Sequence, residues 1–214
     1  MNNIIELKNV SKLYTNPKSI NVLNRINFNF KSGNIYSLVG PSGSGKSTLL
    51  NLLSLIDRPS SGKIKILKNT INHNRTSEND ELRAKKIGII YQENNLLTDF
   101  TGLENVYLAR LAISNNKSKA INDANKIINK LGISKRRNHY SNELSGGEIQ
   151  RFAISRALIN EPEIILADEP TGSLDFKNSK EVFKILFKLR NSNRLIIFAT
   201  HNRYFANMAD CKIE

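Results

Sequence analysis

Residues 40–48 read GPSGSGKST and fit the phosphate-binding pattern G-x-x-x-x-G-K-[ST] through Gly40, Gly45, Lys46 and Ser47. The pattern implies a loop of Gly40, Pro41, Ser42, Gly43, Ser44 and Gly45 whose backbone N–H groups reach phosphate oxygens, since glycine carries no side chain to hold them off. Lys46 would then face the β- and γ-phosphates of a nucleotide. The Ser47 hydroxyl would ligate magnesium, with Thr48 beside it in the first helical turn. Two more groups could do chemistry on such a ligand. The apolar run 163–167 delivers Asp168 and Glu169 at its carboxyl end, where open α/β sheets place ligands. Adjacent carboxylates divide into metal and base roles: Asp168 is expected at magnesium, and Glu169 is expected to polarise the water that attacks the γ-phosphate. Residues 144–148 read LSGGE, in which Ser145 and Glu148 satisfy the capping box S-x-x-E. Gly146 and Gly147 would expose N–H donors at the positive end of that helix, a second anion site. One nucleotide already has a loop for its phosphates. The second site is therefore expected to meet a γ-phosphate held by another subunit.

These groups need particular elements beneath them. Residues 35–39 read as a buried strand and 46–56 as a helix, the strand–loop–helix order that an anion site at a helix N-terminus requires. Before them, 4–10 and the alternating 27–31 read as strands, the second half-buried and antiparallel, with Ser32 and Gly33 as a turn. After a break at 58–62, residues 63–67 read as an edge strand and the polar stretch 69–79 as an exposed loop. Residues 87–91 are another apolar strand. The period then becomes helical: Thr101 and Glu104 form a capping box before a helix to about Ala112, residues 118–131 form a second helix closed by Gly132, and a third begins at Ser145. A helix over 179–189 leads to a strand at 195–199, with Thr200 and His201 beyond it. Strands alternating with helices imply an α/β fold with a mostly parallel sheet, and the strandless middle block implies an inserted helical subdomain.

Composition narrows the partners. A chain of 214 residues with 39% hydrophobic content suits one large domain or a core plus a subdomain. No run approaches a membrane-spanning length, and residues 1–9 carry no signal-peptide pattern, so the chain is expected to stay in the cytosol unless a partner tethers it. The single cysteine, Cys211, excludes an internal disulfide and a cysteine zinc site. The net charge of +13 is scattered, with small clusters only at Arg83, Lys85, Lys86 and at Lys135, Arg136, Arg137. Without aromatic residues interleaved on a basic face, nucleic acid is not expected, and attraction to an acidic inner membrane surface is the better use of the charge.

Taken together, GPSGSGKST, LSGGE, ADEPTGSLD at 167–175 and the later His201 resemble the ATP-binding subunit of ABC transporters over almost the whole chain. The resemblance implies a P-loop NTPase core of RecA-like type, with an antiparallel β portion beside the mostly parallel sheet. It implies one ATP-binding domain over 1–214, with 1–92 and 151–214 as the catalytic core and 93–150 as the helical subdomain that carries the signature. By the same resemblance Gln92 joins magnesium and touches the membrane partner, Asp175 lies at a dimer contact, His201 senses the γ-phosphate, and Tyr14 stacks on adenine. ATP and Mg²⁺ are the implied ligands. Two copies would close head to tail, each ATP held between one phosphate loop and the partner copy's stretch 145–148, with integral membrane permease subunits completing the machine. The implied location is peripheral, on the cytoplasmic face of the inner membrane.

Within that family, residues 87–106 (IGIIYQENNLLTDFTGLENV) and 51–62 (NLLSLIDRPSSG) are similar to the lipoprotein-releasing, macrolide-export and cell-division groups. Ser173 stands where those groups usually carry Asn. Lipoprotein release or export is the leading expectation, and a macrolide or peptide exporter or a cell-division signalling adaptor stays open. DNA-repair relatives interrupt the domain with long coiled coils, and no sustained heptads lie between 92 and 144. The chain ends at Glu214, sooner after His201 than is usual in the family, with a short final strand expected at 211–214.

Overall fold

The computed structural model describes residues 2–15, 19–91 and 95–214. Two long strands, β1 (Asn3–Tyr14) and β2 (Ile20–Lys31), form an antiparallel hairpin. On the other side of β1 lies β4 (Ser61–Ile66), followed by the two-residue β5 (Asn69–Thr70), giving the order β2-β1-β4-β5. The second sheet is wholly parallel. It comprises β3 (Ile35–Leu38), β6 (Ile87–Ile90), β7 (Ile164–Asp168), β8 (Leu195–Ala199) and β9 (Cys211–Ile213), in the order β6-β7-β8-β3-β9.

The apolar runs of β7 and β8 follow from burial on both faces, which removes the alternation expected of a half-exposed strand. Ile164, Leu166, Leu195, Ile197 and Ala199 join one core with β1, β4 and the first helix, α1 (Lys46–Leu53). Ile165, Ala167, Ile196 and Phe198 join the other core, with α3 (Gly102–Leu111), α4 (Lys117–Lys130), α5 (Gly146–Leu158) and α6 (Phe176–Lys188). Phe183 of α6 stacks on Phe205 of the short α7 (Arg203–Ala206) at 4.1 Å and meets Phe198 edge-on at 5.1 Å. This aromatic packing fixes the β8–α7 turn that carries His201.

Several expectations are corrected, among them the helix expected over 179–189, which begins at Phe176. The strand at 63–67 is not an edge, because β5 pairs with β4 on its outer side. The stretch 69–79 is not a loop: it holds β5 and the start of α2 (Thr76–Lys86). That helix buries no residue fully and touches the core through Leu82 alone, so its sequence has no apolar stripe, and pairs such as Arg75–Glu78 and Arg83–Asp80 add to its support. The first helix stops at Leu53 rather than 56, with Leu55 at φ 62 turning the chain away. Elsewhere the helix signals hold. Thr101 and Ser145 cap α3 and α5 with Glu104 and Glu148 at the third position, Gly132 follows α4 at φ 71, and the final strand forms beside β3.

Candidate functional site

The parallel register brings three strand ends level: Leu38 lies opposite Ala199, and Ala199 opposite Asp168. Each chain end then turns into a candidate group, so the phosphate loop, Asp168–Glu169 and His201 emerge along one edge of the sheet. The Thr200 N–H donates to Leu38 O at 3.1 Å and the Glu169 N–H to Ala199 O at 3.1 Å, which ties the three exits together.

In the phosphate loop, Gly45 has φ 94 and N-caps α1, with no side chain capping the helix and no acidic residue in its first turn. A Cβ on Gly45 would also lie 3.0 Å from Leu23 Cδ2. Glycine here satisfies dihedral and space together, and the leading N–H groups of α1 stay unclaimed by side chains. The Lys46 ammonium donates to Gly40 O at 2.8 Å and Pro41 O at 2.9 Å, which holds the charge across the loop. Ser47 is exposed on the first turn, Thr48 half-buried behind it. Pro41, Ser42, Gly43 and Ser44 form the exposed crest.

Glu169 has φ 43, a conformation that a residue with a long side chain adopts only when its surroundings compel it. Here Ala199 O takes its N–H and its carbonyl accepts from the Gly172 N–H at 3.0 Å. Its carboxylate, only 13% exposed, lies with Oε2 3.0 Å from His201 Nδ1, while the imidazole is 71% exposed. The imidazole thus holds the carboxylate with one nitrogen and presents the rest of the ring outward. Asp168 is half-buried and makes no side-chain hydrogen bond or ion pair among the described residues. Gln92 lies outside the described residues.

The signature stretch is elsewhere. Glu148 Oε2 accepts from the Ser145 N–H at 2.9 Å and from the Ser145 hydroxyl at 2.8 Å, while Oε1 pairs with Arg136 Nε at 2.9 Å. The Ser145 amide chiefly holds this carboxyl below its ordinary range; slight burial opposes it, and the Ser145 hydroxyl and Arg136 assist. Gly146 and Gly147 back onto the start of α6 and the turn before it: added Cβ atoms would sit 3.0 Å from Leu174 Cδ2 and 3.2 Å from Asn178 Oδ1. Asp175 caps α6, with Oδ1 accepting from the Asn178 N–H at 2.9 Å and Oδ2 from the Asn178 side chain at 2.6 Å. Ser145, Gly147, Glu148 and Asn178 line a basic cleft of about 650 Å³ with Lys135, Arg136 and Arg151. A larger cleft, about 1500 Å³, touches Gly40, Lys46 and His201 at one end, but Leu7, Phe28, Phe30 and Ile213 make most of it an apolar groove between the sheets. The two clefts share no residue.

Tyr14 ends β1, its hydroxyl donating to Asp57 Oδ2 at 2.9 Å. Lys12, Asp57 and Arg136 act through partners 12 or more residues away, and Asn178 through its approach to Gly147, so no local spacing announces them.

The family profile described as ABC transporter matches residues 23–172. The chain belongs to the ABC transporter ATP-binding family. The ABC protein "Lipoprotein-releasing system ATP-binding protein LolD" of Rickettsia bellii is 44% identical over 211 residues, covering 98% of this chain and 93% of that one. The protein of the same name from Wigglesworthia glossinidia brevipalpis is 45% identical over 218 residues, covering 100% and 95%. Among solved structures, the ATP-binding cassette MJ0796, described as a dimer in a post-hydrolysis state bound to ADP and Pi, matches with TM-score 0.89 at 36% identity, covering 96% of this chain and 91% of that one. As an ABC ATPase this chain binds and hydrolyses ATP. Among the described residues no helix is long and apolar enough to cross a membrane.

Proposed function

We propose that this chain is the ATP-hydrolysing subunit of a transporter that releases lipoproteins from the inner membrane, seated peripherally on its cytoplasmic face against integral permease subunits. The observation that carries the substrate class is the likeness to lipoprotein-releasing relatives across 93–95% of their length. The net charge of +13 favours a seat at an acidic lipid surface.

The working unit in this reading is a head-to-tail pair, as in the similar dimeric cassette. The separation of the two clefts supports it: Ser145 and Gly147 do not line the cleft of their own chain's phosphate loop. Residues 40–48 hold the ATP phosphates, and Lys46 exchanges the Gly40 and Pro41 carbonyls for phosphate oxygens. Tyr14 stacks on the base. The second copy offers Ser145, Gly146, Gly147 and Glu148, with Asp175 at the seam. The residues also fit Mg²⁺. No cluster of three His, Cys, Asp or Glu side chains is available among the described residues, but Mg²⁺ asks for only one or two protein ligands beside substrate phosphates. Ser47, Asp168 and Gln92 would hold it, and it would supply charge neutralisation to the ATP phosphates. Glu169 takes a proton from the attacking water, while His201 Nδ1 keeps its carboxylate aimed. In this reading 93–150 is the helical subdomain that carries the signature, and α5, which runs on from the signature past residue 150, couples it to the core of 1–92 and 151–214.

Glu169→Gln tests the chemistry. ATP binding is expected to survive, turnover to fall by about 10²–10⁴, and an ATP-bound dimer to accumulate on sizing in magnesium-free buffer. Turnover at the unmutated rate removes Glu169 as the base. Reconstitution with the co-purified membrane partner tests the substrate: ATP-dependent release of an acylated protein from proteoliposomes is expected, and transport of a macrolide instead would transfer the chain to the exporter reading.

A further inference from the structure

The end of the β1–β2 hairpin is fastened to the far end of α1 by a compact triad. The Lys12 ammonium donates to Asp57 Oδ1 at 2.6 Å and to Arg58 O at 2.8 Å, and the Tyr14 hydroxyl donates to the other carboxylate oxygen of Asp57 at 2.9 Å. The same ammonium lies 4.8 Å from the centroid of the Tyr14 ring. Lys12 is 9% exposed and covers one face of the Tyr14 ring, while Tyr14 itself remains 39% exposed. A lysine so nearly buried is uncommon, and here its ammonium makes two hydrogen bonds, an ion pair and the ring contact.

We propose that Lys12 and Asp57 are positioning residues for nucleotide recognition, holding the Tyr14 ring as a platform whose open face receives the base. The proposal rests on the reading that Tyr14 stacks on adenine, and it adds why that ring is ready to do so. Tyrosine loses side-chain freedom when it stacks; a ring already fixed at its hydroxyl and on one face loses less, which strengthens binding. The ammonium also draws π-density toward the covered face, leaving the open face better suited to an electron-rich base.

Chain geometry links the triad to the phosphate loop. Lys12 pairs with Leu23 across the hairpin, and Leu23 is the side chain that would meet a Cβ on Gly45. Asp57 is held at the other end of α1, its N–H donating to Asn51 O at 3.1 Å. One helix therefore carries the phosphate site at its start and the anchor of the base platform just past its end. The span between base and phosphates is set by a rigid element.

The experiment compares two ligands on the intact chain, ATP and inorganic triphosphate, by equilibrium binding. Triphosphate has phosphates and no base. Tyr14→Ala is expected to weaken ATP about tenfold and leave triphosphate unchanged. Lys12→Met and Asp57→Ala are expected to weaken ATP about three- to tenfold, again without changing triphosphate, and Tyr14→Phe about threefold through loss of the hydroxyl alone. Tyr14→Phe in the Asp57→Ala background should add nothing, since Asp57→Ala has already removed the Tyr14–Asp57 hydrogen bond. Parallel loss of ATP and triphosphate affinity in Lys12→Met and Asp57→Ala would overturn the proposal, because the triad would then only support the fold around α1. Unchanged ATP affinity in Tyr14→Phe and Lys12→Met, with Tyr14→Ala still weakened, would overturn it too and leave Tyr14 as an unassisted platform. Unchanged ATP affinity in Tyr14→Ala would instead remove the stacking reading itself.

Discussion

The two glycine-bearing helix starts of this chain, at α1 and at α5, look alike in sequence and are built on opposite terms. The start of α1 has Gly45 in the left-handed region, no capping side chain and no acid in the first turn. The start of α5 has Ser145 in extended geometry, with Glu148 bonded back to both its amide and its hydroxyl and paired with Arg136. Glycine is present at α1 because the dihedral and Leu23 require it. It is present at α5 because Leu174 and Asn178 stand where side chains would go. The positive end of α1 is thus left to be completed by a ligand, whereas that of α5 completes itself and offers an anion only its remaining amides, since the Ser145 hydroxyl proton already goes to Glu148. A complete anion site and a contributory one differ in what they leave unsatisfied.

Breaking the α1 end should have the largest effect. Lys46→Ala removes the one side-chain charge at the loop and is expected to weaken ATP binding by about a hundredfold or more, read by nucleotide titration. Retained affinity would mean that the loop amides alone hold the phosphates. The matching change at α5 should split binding from turnover. Ser145→Arg is expected to leave ATP affinity of the isolated subunit intact while lowering ATPase activity by about 10²-fold, since a bulky cation would occupy the second copy's approach. A normal rate would count against the sandwich. A smaller contrast separates the glycines: Gly45→Ala must hold a Cβ at φ 94 and should cost about 1–2 kcal/mol in urea unfolding. Gly147→Ala has no such dihedral and meets only Asn178, so it should cost less; equal costs would erase the distinction between dihedral and space.

The same contrast explains what the sequence revealed. Structure that lives in consecutive residues is legible: the strand–loop–helix order around 40–48, the strand end at Asp168, and the Thr101, Ser145 and Gly132 helix boundaries all depend on local spacing. The strands of the parallel sheet were legible because burial on both faces leaves unbroken apolar runs. What escaped depends on partners far along the chain. Helix α2 packs against the core through little more than Leu82, so it shows no stripe. Lys12 and Asp57 are 45 residues apart, and Arg136 reaches Glu148 from a separate turn. The contact between Glu169 and His201 joins the ends of two strands, which only the register Asp168 opposite Ala199 brings level. The helix over 179–189 begins instead at Phe176, because Asp175 serves as its cap; the same residue was legible only as part of a motif.

The smallest effect should be the acid dependence of the α5 cap. Glu148 is held below its ordinary value of 4.5, chiefly by the Ser145 amide, against slight desolvation and with help from the Ser145 hydroxyl and Arg136. A folded value lower than the unfolded one means the stabilisation is complete above about 4.5 and is lost as pH falls through the depressed folded value. Glu148→Gln should therefore cost about 1 kcal/mol in urea unfolding at pH 7, with the gap to the unmutated chain closing on acidification below that range. The Arg136 pair adds little because it is largely exposed. The cap of α3 is the control: Glu104 is likewise held low, first by the Thr101 amide, in a box with no arginine and no proposed ligand. Glu104→Gln should show the same acid profile with ATPase activity unchanged, while Glu148→Gln should also slow turnover several-fold by loosening Ser145. Equal turnover in the two variants would make α5 an ordinary capped helix and leave the α1 end without its complement.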